Sequence, residues 1–128
     1  MKRALPFLVA AFIAALPLAV SAGPYDKAAV QTNMRANGAR LQAIKAAIGG
    51  MDYSAASAAF VDFGKEAVAL QKMDPPKGSK DDWVKTWKSF EDAAARGVAA
   101  CVAKDAAAAQ KALEEIQAIM KYGHPTFR

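Results

Sequence analysis

The chain has 128 residues, with 17 basic and 12 acidic side chains, one histidine and one cysteine. That length suffices for a single packed core, and one cysteine excludes an internal disulfide framework, so apolar packing has to hold the fold. The excess of positive charge is modest and spread along the chain, which gives no reason to expect nucleic acid.

Lys2 and Arg3 precede an apolar run from Pro6 to Val20, and Val20-Ser21-Ala22 satisfies the small-residue rule for signal peptidase. Residues 1–22 therefore read as a secretory signal cleaved near Ala22. The run is too short for a permanent anchor, so the mature chain is expected to have no membrane span. Taking 22 residues from 128 leaves a domain of 106, residues 23–128. Its exported, alanine-rich style suggests a bacterial periplasm. Without Lys2 and Arg3 the basic side chains fall from 17 to 15 against 12 acidic ones, a net charge of +3.

From Pro24 to Ile48 the positions Val30, Met34, Asn37, Leu41, Ile44 and Ile48 recur at spacings of three and four, the inward stripe of a bundle helix. Gly49-Gly50 ends it. Asp52 or Ser54 can cap a second helix, on which Phe60, Phe63, Ala67 and Leu70 repeat the pattern. MDPPKGSK, Met73 to Lys80, then breaks it and forms the longest loop. Ser79 or Asp81 can start a third helix with the stripe Trp83, Trp87, Phe90, Ala94, Val98 and Cys101. Lys104-Asp105 gives a short turn into a fourth, marked by Ala109, Leu113, Ile116 and Met120. Four residues further along that face stands His124.

No stretch alternates with the two-residue period of strands, so the expected fold is all-α. Short connections favour antiparallel neighbours, giving an up-down-up-down four-helix bundle. That topology gathers Met34, the Pro75-Pro76 loop, Trp83, Trp87 and His124 at one end. Cys101, nearly five turns beyond Trp83, falls toward the other.

A neutral imidazole and a thioether facing each other across a core are suitable ligands for haem iron, and the thioether favours the ferrous state. Met34 and His124 are thus candidate metal ligands, with Leu70, Trp83 and Trp87 as dry pocket walls. Arg128 and Lys121 are either partners for haem propionates or simply solvated termini. The competing reading makes His124 a surface or capping residue, Met34 core filler, and Trp83 and Trp87 core aromatics that helical spacing alone explains. No second histidine offers a conventional zinc site, no glycine-rich phosphate loop follows a strand, and Glu114-Glu115 reads as a solvated face. Hydrolytic machinery is not visible, and an enzyme is not expected.

These residues resemble the exported four-helix haem proteins comprising cytochrome c′ and cytochrome b562, over about residues 26–128. The likeness is carried by Asn33-Met34 with Leu41, by Gln71-Lys72 with Pro75-Pro76-Lys77, and most specifically by the ending His124-x-x-Phe127-Arg128. Where the c′ branch has the two cysteines of CxxCH, this chain has Met120 and Gly123, so covalent attachment through that motif is excluded. The resemblance then implies non-covalent haem b, as in cytochrome b562, with Met34 and His124 as axial ligands and electron transfer to a periplasmic redox partner as the function.

The family also contains members without cofactor. A haem-free relative would bind copper(I) through Met34, Met73, Met120 and His124, or a partner protein through the same end. A purely structural bundle is the third option. One local question stays open: Pro125 disfavours helix at the residue before it, so either the last helix carries His124 or it stops at Tyr122.

Overall fold

The computed structural model describes residues 23–127, with position 124 described by its backbone. The expected signal segment, residues 1–22, and Arg128 lie outside the described residues. Four helices follow one another: α1 Lys27–Gly49, α2 Tyr53–Gln71, α3 Lys80–Val102 and α4 Ala106–Thr126. Each starts on a side-chain cap. Asp26, Asp52, Ser79 and Asp105 accept from the backbone N–H three residues on, at 3.0–3.1 Å, which satisfies a donor that the first helical turn leaves open. Asp52 and Ser79, rather than Ser54 and Asp81, are the caps of α2 and α3.

The expected stripes are the buried faces. Phe60, Phe63, Ala67 and Leu70 of α2, and Phe90 of α3, have no exposed surface or almost none. So do Ala109, Leu113 and Ile116 of α4. On α1, Val30, Asn37 and Ile44 are buried, while Met34, Leu41 and Ile48 pack against the core from its edge. Neighbours in sequence pack together, and α1 closes the ring against α4 less extensively than the other pairs meet. The result is an all-α four-helix bundle. Among the described residues no helix is long and apolar enough to cross a membrane.

The two ends of the bundle differ. At one, α1 joins α2 and α3 joins α4 through the same tight turn. Met51 N–H bonds to Ile48 O at 3.1 Å and Asp52 N–H to Ala47 O at 2.8 Å; Lys104 N–H bonds to Cys101 O at 3.1 Å and Asp105 N–H to Ala100 O at 2.9 Å. This paired pattern is the Schellman motif, whose central residue must be left-handed. That residue is not Gly49 or Gly50 but Met51, at φ 59°, and Lys104, at φ 55°. Non-glycine residues in this region carry strain of roughly 1–2 kcal/mol. Met51→Gly and Lys104→Gly are therefore expected each to raise stability by roughly 0.5–1 kcal/mol, measured by urea unfolding. Met51 is well exposed, so little packing is lost with its side chain.

At the other end the loop between α2 and α3 is tied to both ends of the described chain. Gly23 N–H bonds to Lys72 O at 3.1 Å, and Asp74 N–H to Gly23 O at 2.7 Å. Lys80 Nζ donates to Met73 O at 2.6 Å. Phe127 is buried edge-on against Trp83, with ring centroids 5.1 Å apart. Gly78 of the loop lies against its ring, in the left-handed conformation at φ +81° that favours glycine.

α4 does not stop at Tyr122. It runs through Pro125 to Thr126, so position 124 is helical. Proline removes one N–H from the ladder, and the last turn recovers bonds on either side of the gap. Thr126 Oγ1 donates to Tyr122 O at 2.7 Å, and Phe127 N–H to Gly123 O at 3.0 Å.

Candidate functional site

Between α1, α3 and α4 at this looser end lies a cavity of about 640 Å³, within the size range of small-molecule and cofactor sites. Val30 and Met34 form its α1 wall, and Trp83, Trp87 and Phe90 its α3 wall. Ile119, Met120 and Gly123 belong to α4, and Tyr25, Pro76 and Phe127 close the end. Val30, Met34, Trp83, Trp87, Phe90 and Met120 come from stripes set by helical period, and where the α1 and α4 stripes separate, no described residue fills the gap. A second, shallower depression, about 510 Å³, follows the same α1–α4 seam past Leu41 and shares Met120.

The aromatic wall is held rigidly. Trp83 Nε1 donates to Leu70 O at 2.7 Å. Its ring stands edge-on to Trp87 at 5.6 Å and to Tyr25 at 6.5 Å, and Trp87 leans on Phe90 at 5.2 Å. Trp87 is 6% exposed, yet its indole N–H is buried with no acceptor among the described residues. A buried donor without a partner is uncommon and costly.

Of the residues expected from sequence, Met34, Trp83 and Trp87 line the cavity, and so does Met120. Leu70 does not, which corrects the expectation that it forms a wall. It is fully enclosed on α2, no residue of α2 faces the cavity, and its contribution is the carbonyl that holds Trp83. The imidazole of His124 and all of Arg128 lie outside the described residues. The backbone at position 124 follows Gly123, a lining residue, on the same helical turn. Met73 belongs to the core instead, fully buried with its sulfur 3.4 Å from Asp26 N. The four-ligand copper set is therefore not gathered in the cavity.

Two further expectations are resolved outside it. Cys101 is a buried core residue whose thiol pKa is raised by that burial. Glu114 is exposed as expected, and Glu115 beside it accepts from Arg96 of α3 in an exposed ion pair.

Sequence reasoning missed a polar cluster beside Met34. Asn37, fully buried, donates from Nδ2 to Glu66 Oε1 at 2.9 Å, and Arg40 Nη1 donates to Asn37 Oδ1 at 3.0 Å and to Glu66 Oε2 at 2.5 Å. The Asn37 carboxamide also lies 3.9 Å from Met34 Sδ. Burial pushes the Glu66 carboxyl up to about 7 even though Asn37 and Arg40 both favour its charged form. The signal was present in the spacing: Glu66 is three residues after Phe63 and four before Leu70, on the inward stripe.

The fold and cavity together define an antiparallel four-helix bundle with a ligand-sized, largely apolar site at its open end. No family model, no curated protein and no solved structure matches the chain.

Proposed function

We propose that this protein is a periplasmic electron carrier that holds non-covalent haem b in the end cavity, with Met34 and His124 as axial ligands and a periplasmic redox protein as partner. One observation carries the reading: Met34 on α1 and the Gly123 turn of α4 bound the same apolar cavity, and α4 continues as helix through position 124. The donor chemistry fits, since thioether and imidazole are established haem ligands. The dry aromatic walls fit as well, because a low-dielectric slot limits access by competing ligands.

The haem, when bound, supplies a one-electron couple. The chain's own residues bind and orient it: Trp83, fixed by Leu70 O, and Trp87 exclude water. Asn37, bonded to Glu66, restrains the Met34 side chain on α1. Arg128 is assigned to a propionate.

Titration of the purified protein with haemin should produce a low-spin visible spectrum. His124→Ala should abolish it, and Met34→Ala should convert it to that of iron with a single protein ligand. An unchanged low-spin spectrum in either variant would overturn the axial assignment. Acidification should release the haem, as protons compete with iron for the imidazole nitrogen. Metal analysis of protein isolated from its native compartment should find iron with porphyrin; copper without porphyrin would favour the haem-free reading.

A further inference from the structure

The cavity's polar complement is one-sided. Among the described residues its lining contains two cations, Lys27 and Arg35, and no carboxylate. Both are exposed side chains on α1, eight residues or roughly 12 Å apart along the helix, and they flank the apolar positions Val30 and Met34. Neither makes an ion pair among the described residues. The second feature is independent of the first: the Trp87 indole, a donor that cannot accept, is buried in the cavity wall without an acceptor among the described residues. A rim of unpaired positive charge and an unanswered N–H inside call for the same chemistry, an apolar body that carries anionic oxygen.

We propose that the cavity selects flat apolar acids, whose carboxylates are recognised by Lys27 and Arg35 at the rim and whose oxygen acceptors answer the Trp87 N–H. The inference rests on the haem reading only for the identity of the natural ligand. The recognition itself does not require iron, so a metal-free porphyrin acid belongs to the same ligand class. Exposed charge pairs contribute little singly and are screened by salt, whereas a hydrogen bond to a charged acceptor from a buried donor contributes more.

Wild type, Lys27→Gln/Arg35→Gln and Trp87→Phe are titrated with haemin, haemin dimethyl ester and metal-free protoporphyrin IX, read by quenching of the Trp83 fluorescence that all three proteins retain. Affinity for the two free acids should fall about tenfold in the rim variant, a loss that shrinks at high salt. Affinity for the ester should change less than twofold in that variant. Trp87→Phe should weaken the free acids by a similar factor with the aromatic wall preserved. Equal affinity of wild type and rim variant for haemin, or ester bound by wild type as tightly as the free acid, would overturn the inference. Rim-dependent binding of protoporphyrin IX without an axially ligated haem spectrum would uphold it while ending the electron-carrier reading. An axially ligated spectrum in wild type with an unaffected rim variant would do the reverse.

Discussion

Between about pH 5 and pH 8 the wild-type protein should lose about 2–3 kcal/mol of stability, and Glu66→Gln should lose much less. The Glu66 side chain is 3% exposed, and burial raises its carboxyl from 4.5 to about 7 in the folded protein. Unfolding returns it to water and to the ordinary value. Within that interval the folded state binds the proton more tightly than the unfolded one, so stability falls as pH rises. Below about 4.5 the contribution is fully present, and above about 7 it is gone. Glutamine keeps an oxygen for Asn37 and has no charge to desolvate, so the variant's curve should be flatter. Urea midpoints measured across this range test the point, and parallel curves for the two proteins would refute it. Arg40→Met should steepen the wild-type slope, because it removes the cation that favours the charged carboxylate against the cost of burying it.

Gly97→Ala should lower stability by about 1–3 kcal/mol, or roughly 5–20 °C in Tm. A Cβ built at Gly97 of α3 would lie 2.5 Å from the ring of Phe60 on α2. Phe60 is fully buried, so its ring cannot retreat without displacing other core side chains. The control is Gly64, also helical and buried, where an added Cβ meets only Ala94 Cβ at 3.8 Å, an ordinary contact. Gly64→Ala should be neutral or stabilising by up to about 1 kcal/mol, since alanine is the better helix former. Opposite outcomes at two buried helical glycines would show that close approach of α2 and α3 sets the first. Equal effects at both would show that it does not.

The helices and their inward faces were legible in the sequence because helical burial is local: period decides which side chains share a face, and capping residues decide where the face begins. The Trp83–Cys101 stripe is found as read, and the caps of α2 and α3 fall on one of the two residues read for each, Asp52 and Ser79. The turns were less legible. Gly49-Gly50 marks the end of α1, yet the left-handed position falls on Met51, because the Schellman bond pattern fixes the strained residue by its place after the cap. Pro125 likewise suggested a helix end, and Thr126 and Phe127 carry α4 past it.

What the sequence by itself determined is the all-α bundle, its four inward stripes and the gathering of Met34, Trp83 and Trp87 at one end, since these follow from period and from short antiparallel connections. Tertiary structure alone decided which of those residues line empty space and which are walled in. Leu70 and Trp83 share the same inward phase, but the seam opens between α1 and α4, so Trp83 faces the cavity and Leu70 stands behind it. The same packing left the Trp87 N–H without an acceptor among the described residues and enclosed Glu66 with Arg40. Such outcomes depend on distances between helices, and the order of residues along any one helix does not contain them.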